Sequence, residues 1–306
     1  MRIILTLCLF FLVPYYISAQ TDTTGFHDAQ LLYRNGDLCG AKKILEGIEI
    51  TAPDFAPCLY YLGLVYHDEN NLEKAKEYYL MSGEKARNYG EPYSDLSSLM
   101  FAQQKYNKAI EYAKISIERD STNAKAYINL ASSLNQIKEY DESRQNFIKA
   151  AQIDPYEILN LGELMLRQYN HPQGAIYYFS IVYDLFPNLA VSVLNLGNTY
   201  RMIGETEIAL NIFTSGYNSI NPKDDMFGLI YSNYFRLLFN NKQYDKIIKT
   251  AFDKVPDDNP SAYYFLCLSN YAQGKKDLFT TQATKYFELS GDEKPDDIEN
   301  WAKTKF

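Results

Sequence analysis

Residues 124–155 read AKAYINLASSLNQIKEYDESRQNFIKAAQIDP. Tyr127, Leu130, Ala131 and Leu134 fall on one face of a helix, and Ser143, Phe147 and Ala150 on one face of another. Both sets follow the spacing of an amphipathic helix. Ile137 to Asp141 breaks the apolar phase, and Pro155 closes the unit. The stretch predicts a helix, a tight turn and a second helix. A single hairpin of this kind cannot bury its own apolar face and needs copies of itself on both sides.

The copies are present. Ser143, the small residue where the second helix crosses the first, has counterparts at Ala41, Ala75, Ala109, Ala175 and Ala209, spaced 34, 34, 34, 32 and 34 along the six. With this residue as position 20, Leu62, Leu96, Leu130 and Leu196 occupy position 7, and Gly63, Ser97, Ala131 and Gly197 position 8. Tyr66, Met100, Leu134 and Tyr200 take position 11, and Leu45, Tyr79, Ala113, Phe147, Phe179 and Phe213 position 24. Pro53, Pro155 and Pro187 stand at position 32. Small residues at 8 and 20 let two helix backbones approach, the residue at 24 fills the space toward the next hairpin, and proline stops the second helix.

In period and in these positions the chain resembles the tetratricopeptide repeat family, whose unit is about 34 residues. The resemblance implies an all-α, right-handed superhelical solenoid of antiparallel helix pairs. It covers residues 20–291 with about eight pairs, strong over 22–223 and degenerate over 224–291, where Ile247 takes position 20 and Leu266-Cys267 the Leu-Gly place. In repeat five, His171-Pro172-Gln173-Gly174 reads as the turn. Residues 292–306 form a closing helix or tail, with Trp301 and Phe306 covering the end of the stack.

Residues 1–19 read as a secretory leader: Arg2, an apolar run from Ile3 to Val13 interrupted by Thr6, and Ile17-Ser18-Ala19 as a small-residue cut site. The alternative is an uncleaved anchor. No later segment is apolar and long enough to span a bilayer, so the chain is expected to be exported, periplasmic or extracellular, without membrane insertion after cleavage. Three cysteines follow the leader, Cys39, Cys58 and Cys267. An odd number without CxxC spacing is no disulfide framework. Cys39 and Cys58 stand in neighbouring repeats, where a bridge between them and simple packing of two small side chains both remain open.

The net charge of −8 disfavours a nucleic-acid binder, which needs a basic face. No phosphate loop, HExxH or cysteine–histidine cluster occurs, so neither cofactor nor metal is expected and the chain reads as a non-enzyme. His67-Asp68 suggests a base with its acid, but adjacent helical residues do not face each other. Function is then expected on the surface that the resemblance assigns to ligands, the concave face of the first helices, with contacts from positions 2, 5, 9, 12 and 13. These give Tyr60 and His67 in repeat two, Phe101 in repeat three, Asn135 in repeat four, Asn160 and Arg167 in repeat five, Asn198 and Arg201 in repeat six, and Arg236 in the seventh. The family's carboxylate clamp needs lysine and asparagine at positions 5 and 9, and Tyr60-Leu64, Ser94-Ser98 and Ile128-Ser132 do not match it. The expectation is a scaffold or adaptor for a protein or peptide, acidic where it meets Arg167 and Arg201 at position 12 of neighbouring repeats. A carrier for a small ligand or glycan, and a structural subunit of an envelope or secretion assembly, are the alternatives.

Overall fold

The computed structural model describes residues 25–51, 55–295 and 297–305. The leader at 1–19, Pro53 and Phe306 lie outside the described residues. Seventeen helices and no strand occur among the described residues.

The chain divides after Ser143 into two compact units. The first holds α1 (Phe26–Arg34), α2 (Leu38–Thr51), α3 (Ala56–Asp68), α4 (Leu72–Lys85), α5 (Glu91–Ala102), α6 (Tyr106–Arg119), α7 (Ala124–Gln136) and the start of α8 (Tyr140–Ile153). The second continues α8 and adds α9 (Pro155–Arg167), α10 (Pro172–Leu185), α11 (Ala190–Met202), α12 (Thr206–Ser219), α13 (Phe227–Asn240), α14 (Tyr244–Thr250), α15 (Pro260–Ala272), α16 (Lys276–Ser290) and α17 (Ile298–Lys303). Within each unit successive helices pack in pairs, and second helices also pack on the next first helix, as α2 on α3, α4 on α5, α6 on α7, α10 on α11, α12 on α13 and α14 on α15.

The position-20 residues Ala41, Ala75, Ala109, Ser143, Ala175 and Ala209 are all buried. The position-24 residues Leu45, Tyr79, Phe147, Phe179 and Phe213 are buried as well, and each large apolar side chain so placed stabilises by about 1.5–3 kcal/mol. A Cβ built on Gly63 would stand 2.5 Å from the Tyr79 ring, and one on Gly197 2.7 Å from the Phe213 ring. The missing side chain at position 8 is therefore what lets the position-24 ring approach the first helix so closely.

Two proline readings change. Pro155 does not merely end a helix: it is the first residue of α9, where its missing N–H is no loss, and Asp154 caps that helix by accepting from the Tyr156 N–H at 2.9 Å. Pro172 likewise opens α10, so Pro172-Gln173-Gly174 belongs to the helix rather than the turn, and His171 Nδ1 caps it by accepting from Gly174 N–H at 2.8 Å. The hairpin turns themselves each contain a residue with positive φ: Gly36, Asn70, Gln104, Lys138, Asn170, Gly204, Lys242 and Gly274. At the far end Trp301 of α17 stacks on Tyr286 at 5.9 Å and meets Phe287 edge-on at 5.1 Å.

Candidate functional site

The turns set the register of the first helices, and the register decides which side chains meet. In most hairpins the chain closes by a backbone bond over five residues, as in Asn71 N–H to Tyr66 O at 2.8 Å, Lys105 N–H to Met100 O at 2.9 Å and Glu205 N–H to Tyr200 O at 3.0 Å. In repeat five the closing bond runs from His171 N–H to Met165 O at 2.9 Å, one residue longer. Met165 therefore stands where Tyr66, Met100 and Tyr200 stand, at position 11. Gly162 agrees: a Cβ there would run into the Phe179 ring, as one on Gly63 runs into Tyr79. Asn160 is thus at position 6 rather than 5, and Arg167 at position 13 rather than 12, so Arg167 and Arg201 are not strict equivalents.

In the first unit the polar side chains of the first helices are joined to one another. Tyr33 donates to Asp68 Oδ2 at 2.8 Å. Tyr60 donates to Asp95 Oδ2 at 2.6 Å, and Asp95 also pairs with Lys125, which links α3, α5 and α7. Asn129 donates to the Ser94 carbonyl at 2.8 Å and to Ser98 Oγ at 2.9 Å. Tyr60, expected as a ligand contact, is half-buried with its ring against Tyr61, Tyr79 and Tyr89. Burial first, and then the Asp95 charge and hydrogen bond, push its phenol far above the ordinary range. His67 and Asp68 do approach at the end of α3, Nδ1 to Oδ1 at 3.5 Å, while the other oxygen of Asp68 accepts from Tyr33. Phe101 covers the Tyr106 ring at 5.6 Å, and Asn135 is exposed at the end of α7.

The second unit differs. Between α9 and α11 lies a cleft of about 310 Å³, lined by Glu163, Leu166 and Arg167 from one helix and Asn195, Asn198, Arg201 and Met202 from the other. These two helices make little direct contact, unlike α11 with α13. Arg167 reaches Glu163 on its own helix at 3.1 Å, and Arg201 donates to Asn198 Oδ1 at 3.3 Å. Three of the expected residues, Arg167, Asn198 and Arg201, are thus gathered at one opening. Asn160 is exposed on α9 but does not line it. Arg236 stands apart on α13, where its charge partly offsets the rise that burial and Cys267 impose on the Tyr264 phenol.

Asn195 and Glu163 went unnoticed in the sequence. Asn195 occupies position 6, outside the usual contact positions, and its kinship with Asn129 and Asn160 is hidden by the longer turn of repeat five. No group of His, Cys, Asp and Glu able to hold a metal occurs among the described residues. The cysteines Cys39, Cys58 and Cys267 are free. No described helix is long and apolar enough to cross a membrane.

Among curated proteins none matches the sequence. Solved structures are similar at low identity. A tetratricopeptide repeat protein from Parabacteroides merdae ATCC 43184 is 13% identical, with 93% of this chain and 97% of that chain covered and a TM-score of 0.41. MamA is 18% identical over 62% of this chain and 93% of its own, with a TM-score of 0.39. PilW, a widely conserved type IV pilus biogenesis factor, is 14% identical over 69% and 98%, with a TM-score of 0.46. The family profile described as "Tetratricopeptide repeat" matches residues 56–80 and 124–157, the first covering α3 and most of α4, the second α7 and α8. The chain thus carries tetratricopeptide repeats at residues 56–80 and 124–157, and further helix pairs run on either side of them.

Proposed function

We propose that this protein is a non-enzymatic interaction scaffold, exported after loss of residues 1–19, that holds a protein or peptide segment against the first helices of its repeats. The observation that supports this most directly is the cleft between α9 and α11, where two guanidiniums and an amide surround an opening that no side chain fills. Its volume of about 310 Å³ is at the small end of ligand clefts and admits one or two side chains of a longer ligand. The contrast with the first unit points the same way: there the polar groups satisfy each other, whereas Arg167 and Arg201 are exposed and bonded only within their own helices. In a chain of net charge −8 these two arginines offer a local attraction for carboxylates.

The test is charge reversal. Arg167→Glu with Arg201→Glu is expected to abolish capture of the partner from envelope extract, identified by mass spectrometry, and to leave helicity and melting unchanged. Exposed ion pairs of this kind contribute little to stability, about 0–1 kcal/mol. Wild-type capture by the double variant would remove the cleft from the function. Intact mass of the exported chain checks the leader: a retained Met1 contradicts cleavage.

A further inference from the structure

We propose that the cleft between α9 and α11 seats an extended segment of a partner in which one acidic side chain lies between two large apolar ones, and that Asn195 is the residue that selects it. This rests on the reading of the first-helix face as a docking surface and names what it takes.

The charge of the cleft sets the first term. Arg167 and Arg201 bring two positive charges and Glu163 one negative, so the site has room for one carboxylate. A run of acidic residues would meet Glu163, and like charges brought together oppose binding. The apolar lining sets the second. Leu166 adjoins Arg167, and Met202 adjoins Arg201 with 58% of its surface exposed. Each helix thus gives the cleft one apolar side chain beside its guanidinium in the lining, and a chain that continues past its acidic residue in both directions covers both. A free chain terminus covers one side only.

Asn195 supplies the third. Its Nδ2 is shielded from solvent and has no acceptor. Buried donors are nearly always bonded, so the exception calls for a cause. Asn129 is at the same position of repeat four, and there the amide is bonded to Ser94 and Ser98 on the preceding first helix. For Asn195 the preceding first helix presents Glu163, which is turned to Arg167. The amide donor therefore has no partner inside the protein, although its residue lines the cleft. In the proposed complex the amide turns about its Cβ–Cγ bond, a broad two-fold torsion, so that its N–H group meets the bound segment. The acceptor it takes is an oxygen of the bound segment.

The experiment uses the purified chain and fluorescent nonapeptides blocked at both ends, with glutamate, glutamine or lysine at the centre and leucine or serine on either side. A further peptide carries glutamine at the centre and a free terminal carboxylate. Expected is binding of the Leu-Glu-Leu peptide, weakened about tenfold or more by glutamine, since hydrogen bonds to charged groups exceed neutral ones by that order, and by serine flanks, which remove the buried apolar area. Asn195→Leu is expected to weaken the same peptide about tenfold while its melting temperature stays level or rises, because an unsatisfied buried donor has been removed. Unchanged binding by Asn195→Leu, a lowered melting temperature in that variant, preference for the free terminus, or no binding of any peptide each overturns the inference. The broader docking reading is judged separately, by whether the charge-reversed double variant still captures its protein partner.

Discussion

Ser143 donates its hydroxyl to the carbonyl oxygen of Ala131 at 2.8 Å, across the crossing of α7 and α8. In repeat three the roles are exchanged: Ser97, at position 8, donates to the carbonyl of Ala109, at position 20, at 2.7 Å. The crossing accepts a hydroxyl from either helix because the backbones there are close enough for a serine to reach across. Ser143→Ala keeps the close approach and loses one bond, so the denaturant midpoint should fall by the equivalent of about 0.5–1.5 kcal/mol. Ser143→Leu should fall further. A larger loss for alanine than for leucine contradicts the crossing described here.

Glycine at position 8 is held to a stricter limit. Gly63→Leu and Gly197→Leu place a branched side chain where even a Cβ would overlap the Tyr79 or Phe213 ring. Overpacking of this kind costs roughly 1–3 kcal/mol. Gly162→Ala should behave likewise against Phe179, and that variant tests the revised register of repeat five. An unchanged melting temperature in Gly162→Ala would return Arg167 to position 12.

The hairpin turns can be improved. Gln104 and Lys138 sit at φ of 59° and 69°, the left-handed region where a Cβ is strained and glycine is not. Gln104→Gly and Lys138→Gly should each raise stability by about 0.5–1 kcal/mol, the strain relieved less the extra freedom glycine gains in the unfolded chain. Thermal melts of the two variants decide it, and a fall in both contradicts the turn geometry.

The thiols divide by burial. Burial pushes Cys58 and Cys267 up to about 12, while Cys39 is exposed. At pH 8, Cys39 should alkylate readily and the other two only after unfolding, which peptide mapping reads directly. For stability the sign follows from the raised values: the neutral thiols favour the fold fully below the unfolded thiol value of about 8.5, and this contribution is lost as pH rises from there toward 12. Replacing both by alanine should flatten the alkaline loss of stability over that window. Alkylation of Cys58 in the native protein at the rate of Cys39 contradicts its burial.

The sequence by itself determined the repeat. Small residues at Ala41, Ala75, Ala109, Ser143, Ala175 and Ala209 mark where two helices touch, and that requirement is local: it depends on side-chain size at a crossing formed by residues a dozen apart. Helix phase and turn position are equally local and were legible except in repeat five, where Pro172 opens α10 and the turn before it is one residue longer. Only the tertiary structure decided which polar groups remain available. Tyr60 reads as a ligand contact until Asp95, on the next first helix, takes its hydroxyl. Arg167 and Arg201 read as equivalent because one extra residue in a turn leaves their spacing at the usual period while shifting the helix beneath. Asn195 carries no signal at all, since an amide becomes an orphan only when the side chain facing it on another helix is turned elsewhere, as Glu163 is to Arg167. Those facts belong to the spacing between helices that are far apart in the chain, and no pattern within one repeat contains them.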